Sequence, residues 1–322
     1  MIEAVLVIAG PTASGKSALA LDLARRLDGV VINADSLQVY RELEILTARP
    51  GPAALAAAPH RLYGVLGAGQ RCSVGYWLEL AQGEIRAALA TGRTPIVVGG
   101  TGLYLQALTH GLAPVPRIPQ AARQAVAARL TGAGLAELYR ELAERDPAMA
   151  ARLRPSDPQR IVRALEVLDA TGRSLAAWQQ APTAPPEFGV PLAGCILELP
   201  RAELYRRCDA RFGAMLAAGA LREAAAVAAL GLSPGLPATR ALGLRPLQCH
   251  LAGTASLAEA VATAQQETRR YAKRQLTWFR NRMMSWKSIQ AQDSERIIDD
   301  FLSFIMDFRL TPSNRGTKLP AP

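Results

Sequence analysis

The stretch VLVIAGPTASGKSALALDLA, Val5 to Ala24, constrains the fold more than any other part of the chain. A short apolar run leads into Gly10-x-x-x-x-Gly15-Lys16-Ser17, and then Leu19, Ala20, Leu23, Ala24 and Leu27 recur at helical spacing. Strand, glycine-rich loop and helix in that order form the context in which such a loop cradles phosphate. Gly10, Pro11, Thr12, Ala13, Ser14, Gly15, Lys16 and Ser17 are therefore the expected diphosphate-binding residues. Glycines let backbone N–H groups wrap an anion, the helix N-terminus adds partial positive charge, and Lys16 adds a full one. Ser17 is the expected ligand of a Mg²⁺ cofactor. What else the phosphates carry stays open. A nucleoside triphosphate fits, as in a kinase, and so does another diphosphate ester.

Two further segments repeat the strand-then-turn pattern. VVIN (30–33) runs into Ala34-Asp35-Ser36, and TPIVVGGTGLYLQAL (94–108) reads as strand, glycine turn and helix, with GCILELP (194–200) as the last core strand. Alternating strands and helices predict a parallel sheet with right-handed crossovers. Ligands of such sheets sit at the carboxyl ends of the strands, so Gly10–Ser17, Asp35 and Thr101 can converge from distant positions. Asp35 there can hold a metal, accept a proton, or cap a following helix. Gly99, Gly100 and Gly102 around Thr101 are expected to admit a ligand close to the backbone.

The fold class expected is α/β, a P-loop NTPase-like parallel sheet core flanked by helices, with an inserted all-helical subdomain and a helical C-terminal region. Proline-rich borders, APVPRIP and APTAPPEFGVP, bracket the helical insertion. The boundaries expected are 1–112 for the core, 113–193 for the insertion, 194–287 for core completion and basic helices, and 288–322 for a divergent tail in which RIIDDFLSFIMDF reads as one more helix.

Lys plus Arg number 37 against 27 Asp plus Glu, an excess that suits a polyanionic partner and equally suits an arginine-rich genome. Distribution decides between them. In ETRRYAKRQLTWFRNRM (267–283), Ala272, Leu276, Phe279 and Met283 form one apolar stripe. Arg270, Lys273, Arg274 and Thr277 fall on another face, with Arg269, Arg280 and Arg282 around it and Glu267 as the one acid. A solvated charged face normally mixes signs, so this helix points to a nucleic-acid backbone. PQRIVRALE (158–166) and ATRALGLRPL (238–247) carry supporting arginines.

Other classes are disfavoured. Cys72, Cys195, Cys208 and Cys249 show no pairing or metal spacing, and His60, His110 and His250 form no ligand pattern. No apolar run reaches the length of a membrane span, and the start MIEAVLVIAGP lacks the flank and cleavage site of a signal peptide. A cytoplasmic chain without a membrane partner is expected, acting as a monomer.

GPTASGKS, NADSLQVY, LTARP, APHRLYG, VVGGTGLYLQAL, DPQRIVRALEV, the RF-x-x-ML-x-x-G pattern at 211–219 and KRQLTWFRNR, in that order, resemble the tRNA dimethylallyltransferase (tRNA isopentenyltransferase) family over about residues 5–286. The resemblance implies that the loop holds the pyrophosphate of dimethylallyl diphosphate, whose prenyl group passes to N6 of adenosine 37 in the anticodon stem-loop of tRNA. By position, Asp35 is implied as the base for the N6 proton and Thr101 as a contact at the reacting centre. The implied tRNA contacts are Asp35, Ser36, Leu37, Gln38 and Thr101; Arg123, Gln159, Arg160, Ile161, Val162 and Arg163; Arg240, Ala241, Leu242, Gly243, Leu244 and Arg245; and Lys273, Arg274, Gln275, Leu276, Thr277, Trp278, Phe279 and Arg280. Leu46 stands where the family usually has glycine, and Leu244 where it usually has tyrosine, which bears on a turn and on one RNA contact. Adenylate isopentenyltransferases, which prenylate free nucleotides, share the core; the insertion and the basic helix argue for tRNA. An RNA-binding protein with a structural nucleotide site is a third reading.

Overall fold

The computed structural model describes residues 3–290, 298–301 and 303. Within them the chain divides into two compact units, one of residues 1–109 with 186–322 and one of 110–185.

The first unit is built on a parallel sheet. β1 (Val5–Ala9), β2 (Gly29–Asn33) and β4 (Thr94–Gly99) are buried along their whole lengths, as strands covered on both faces must be. With β3 (His60–Arg61), β5 (Leu192–Glu198) and β6 (Lys287–Gln290) they give the order β3-β2-β4-β1-β5-β6, every neighbour parallel. Ala9 stands beside Gly99 and Asn33 beside Val98. The turns that leave β1, β2 and β4 therefore emerge together at one edge. The two outermost strands were not anticipated: β3 is only two residues long, and β6 falls across the expected start of the tail at 288. Of the expected tail helix, 296–308, only Ile298–Phe301 and Ser303 are described, with Ile298 and Phe301 buried in the core; the remainder of 288–322 beyond Gln290 lies outside the described residues.

Helices α1 (Lys16–Arg26), α2 (Pro52–Ala57), α3 (Val74–Ala90) and α4 (Gly102–His110) belong to the first half. The periodic residues of α1 face inward: Leu19, Ala20, Leu23 and Ala24 are buried. Ser73 caps α3 by accepting the Tyr76 N–H at 3.1 Å.

The second unit holds α5 (Gln120–Arg145), α6 (Pro147–Ala150), α7 (Pro158–Thr171) and α8 (Leu175–Gln179). Its core gathers Val126, Leu138, Leu142, Ile161 and Leu165. Gly134, at φ 82°, breaks α5 into two pieces, and Asp157 caps α7 through the Arg160 N–H at 3.1 Å. The unit runs from 110 to 185 where the proline borders suggested 113–193; the last of those residues already form β5.

The first unit closes with α9 (Arg201–Ala217), α10 (Ala220–Ala229), α11 (Leu244–Leu251) and α12 (Leu257–Arg282). Ser256 and Glu259 form a reciprocal capping box that starts α12. Ala272, Leu276, Phe279 and Met283 are buried as their spacing predicts, and each of the larger ones contributes about 2 kcal/mol of apolar burial. Ala272 and Leu276 of that stripe join the core cluster of the sheet, and α12 lies against α9 and α11. Among the described residues no single helix is long and apolar enough to cross a membrane.

Candidate active site

A cavity of about 370 Å³ opens where the strand ends meet, a size usual for small-molecule sites. Its wall includes Thr12 to Ala18 of the glycine loop, Asp35 after β2, Val98 and Gly99 at the end of β4, Gln38, Thr47 and Ala48, and Tyr63. Arg207 and Arg211 of α9 and Gln275 of α12 complete it.

The loop takes its shape from three residues at positive φ, Gly10 at 152°, Ala13 at 64° and Gly15 at 94°. Gly15 leads directly into Lys16, the first residue of α1, whose opening amides have no partner within the helix. Lys16 Nζ donates to the Pro11 carbonyl at 2.8 Å. Burial brings its ammonium down to about 8; Asp35 opposes that shift, and Arg211 reinforces it. Arg211 is itself lowered by burial and donates to the Thr12 hydroxyl. Three cations thus share the wall with one carboxylate, Asp35. Arg207 is partly exposed and pairs with Glu203 at 2.6 Å, whereas Lys16 and Arg211 are both lowered by burial, a cost that an anion relieves. Ser14 Oγ, 1% exposed, has no hydrogen-bond partner among the described residues.

Asp35 is held by its own turn. Its amide donates to Asn33 Oδ1 at 2.8 Å, and its Oδ1 accepts the Leu37 N–H at 2.9 Å. No described group hydrogen-bonds its other oxygen. The capping alternative is thus partly met, but no helix follows: residues 34–51 are turns and extended chain. Thr101 is not part of the cavity wall. Its hydroxyl accepts the Ser36 N–H at 3.0 Å, lies 3.3 Å from Ser36 Oγ, and pairs with Tyr271. It ties the turn after β2 to the turn after β4.

Of the glycines around Thr101 only Gly99 borders the cavity, and at all three the position a side chain would take is occupied by protein. A Cβ at Gly99 would lie 2.1 Å from the Ala34 carbonyl oxygen, at Gly100 2.3 Å from Gln275 Nε2, and at Gly102 2.3 Å from the Trp278 ring. Protein fills the space: neighbouring backbone in the first case, α12 in the other two. Leu46 is accommodated without left-handed backbone, because Glu223 Oε1 accepts its amide at 2.8 Å while Oε2 takes those of Glu44 and Ile45 at 2.8 and 2.7 Å. Leu244 is buried in α11.

The residues expected to meet RNA divide by burial. In the first unit Lys273, Arg274, Thr277, Arg280, Arg240 and Arg245 are exposed, and Ser36, Leu37, Gln38, Leu242 and Trp278 are half-buried. Gln275, Leu276, Phe279, Ala241 and Leu244 are buried, so their side chains pack rather than reach outward, and Gly243 is buried as well. Arg269 is drawn from the cationic face to Asp209 at 2.6 Å. In the second unit Arg123, Gln159 and Arg160 are exposed, Val162 and Arg163 half-buried, and Ile161 buried in the helical core.

The family profile described as IPP transferase matches residues 38–282, and a second, isopentenyl transferase, matches 3–65. This chain belongs to the IPP transferase family. The tRNA dimethylallyltransferase of Parvibaculum lavamentivorans is 54% identical over 308 residues, 96% of this chain and 98% of that protein. That of Rhodospirillum rubrum is 54% identical over 313 residues, 95% of each chain. The tRNA isopentenylpyrophosphate transferase of Bacillus halodurans superposes with a TM-score of 0.69 at 32% identity, covering 95% of this chain and 96% of that one. A eukaryotic dimethylallyltransferase acting on tRNA superposes at 0.80 with 25% identity, covering 99% and 82%. As an IPP transferase the chain is a prenyl transferase, on the parallel-sheet fold described above.

Arg207, Arg211 and Glu223 had no assigned role in the sequence. Arg211 opens the RF-x-x-ML-x-x-G pattern and was within reach; Glu223 had no signal, since its partners lie nearly two hundred positions away.

Proposed function

We propose that this chain transfers the dimethylallyl group of dimethylallyl diphosphate to N6 of adenosine 37 in tRNA and releases pyrophosphate. The observation that carries the reading is a phosphate loop, the cations Lys16, Arg207 and Arg211, and a lone carboxylate, Asp35, on the wall of one cavity.

The exocyclic amine of adenine is a weak nucleophile because its lone pair is delocalised into the ring. Transfer therefore needs a leaving group nearly gone and an allylic carbon with cationic character. The loop amides, Lys16, Arg207 and Arg211 neutralise charge on the departing pyrophosphate, a preorganised electrostatic stabilisation. Asp35 takes the N6 proton as the C–N bond forms, a contribution of about 10²–10⁴ in rate. Thr101, through Ser36, keeps the Asp35 turn in place. The adenosine leaves its loop stack, which costs less in an anticodon loop than in a duplex. The exposed cations of α12, with Arg240 and Arg245, take phosphates of the stem-loop.

No cluster of three or more metal-ligating side chains occurs among the described residues. The Ser17 hydroxyl on the cavity wall would be the protein's ligand to a Mg²⁺ ion accompanying the diphosphate. Bound there, the ion supplies further charge to the leaving group. We infer a cytoplasmic setting from the tRNA substrate.

A second reading is prenylation of free AMP, which the same donor loop and carboxylate could serve; the profile match at 3–65 names an isopentenyl transferase without naming its acceptor. Labelled dimethylallyl diphosphate offered with unmodified tRNA, and separately with AMP, decides. Label on tRNA and none on AMP is expected; label on AMP alone overturns the tRNA reading.

A further inference from the structure

Gln275 lies in the middle of the basic stretch of α12, yet it is only 6% exposed. Its Oε1 accepts the Thr12 N–H at 2.8 Å, and its Nε2 donates to the Gly100 carbonyl at 2.8 Å. One side chain thus joins the phosphate loop after β1 to the turn after β4. The absence of a side chain at Gly100 is what gives the amide its seat, since a Cβ there would stand 2.3 Å from Nε2. Donor and acceptor are both required, and of the side chains of this length only glutamine's amide supplies the two.

The loop needs such a hold. Ala13 at φ 64° is in a region that costs an L-residue energy and persists only where surroundings enforce it. Arg211 grips the Thr12 hydroxyl, and Gln275 grips its amide. With the Thr12 N–H already taken, the anion is left to the amides that open α1. Along the same helix Lys273, Arg274 and Thr277 are exposed. The inner face of α12 therefore fixes the donor loop while the outer face is cationic.

We propose that Gln275 is a positioning residue for the diphosphate donor, bracing the loop in its anion-binding form from the helix assigned to RNA. This deepens the proposed function and rests on it for the identity of the donor. It departs from the sequence expectation that placed Gln275 on the RNA surface.

The test uses full-length Gln275→Met and Gln275→Glu. Calorimetry with inorganic pyrophosphate, filter retention of tRNA, and steady-state kinetics with dimethylallyl diphosphate separate the steps. Gln275→Met is expected to raise the pyrophosphate Kd and the donor KM about tenfold, the weight of a buried polar pair undone. Gln275→Glu, which still accepts from Thr12 but cannot donate to Gly100 and adds negative charge to the wall, is expected to raise them further. The tRNA Kd should stay within about twofold, while kcat at saturating donor falls a few-fold as well, because the braced loop serves the leaving pyrophosphate as well as the bound donor. Unchanged pyrophosphate affinity in both folded variants, or a loss that falls on tRNA instead, overturns the proposal. Amide exchange at Thr12 in the unsubstituted protein needs no variant: slow exchange without ligand supports the brace, and fast exchange contradicts it. Weakened pyrophosphate binding in an enzyme that prenylates nothing would uphold the brace while the activity reading fails.

Discussion

Lys16 and Asp35 face one cavity from the ends of β1 and β2, two strands that are not neighbours but flank β4. The carboxylate partly offsets the burial that holds the lysine at about 8. The pair sets a cation for the leaving group and a base for the nucleophile in one enclosure.

Asp35→Asn keeps an oxygen for the Leu37 N–H, so the turn survives while the base is lost. Prenyl transfer should fall by about 10²–10⁴. Pyrophosphate should bind at least as tightly, because a negative charge has left the wall. Single-turnover rates and calorimetry check both, and transfer within a few-fold of the parent would remove Asp35 as the base.

Lys16 is lowered in the free protein, so above its value of about 8 it is largely neutral. A bound diphosphate favours the ammonium and raises it again. Donor binding without tRNA should therefore take up protons near about pH 9 and progressively fewer towards about pH 7, where Lys16 is charged in both states. Calorimetry in buffers of different ionisation enthalpy measures this. No buffer dependence near about pH 9 would contradict it.

The alternation of strand and helix, the loop and the amphipathic face of α12 are local patterns, and they were legible in the sequence for that reason. The glycines at 99, 100 and 102 were legible as places of close approach, but not as to what approaches. Trp278, Gln275 and Ala34 come from elsewhere in the chain, and no local spacing names them. Glu223 is the limiting case: a carboxylate on α10 that organises residues 44–46, visible only once the fold brings them together. The edge strands were missed because two or four residues of polar character carry no period.

Glu223→Ala should leave three converging amides without their acceptor. A loss of about 1–3 kcal/mol in urea unfolding is expected, with Glu223→Gln falling between. Unfolding midpoints that do not differ would show the contact to be incidental.

Gly99→Ala places a methyl group against the Ala34 carbonyl at 2.1 Å, backbone that cannot turn aside. Destabilisation of about 1–3 kcal/mol or more is expected by thermal melting. A melting temperature equal to the parent's would mean the two strand ends part freely.

Lys273→Ala and Arg274→Ala remove exposed charges of α12 from its outer face. Each should lower the log–log salt slope of tRNA binding by about 0.7–0.9 while leaving pyrophosphate affinity unaltered. An unchanged slope takes the residue off the RNA surface.

The central claim is a prenyl group moved from diphosphate to one adenine of tRNA. Nucleoside digestion and mass spectrometry of tRNA after reaction test it most directly, with released pyrophosphate counted alongside. N6-dimethylallyladenosine at position 37, one pyrophosphate for each, and no ATP consumed is the result predicted. Unmodified adenosine at that position, or ATP hydrolysed as the donor, would contradict it.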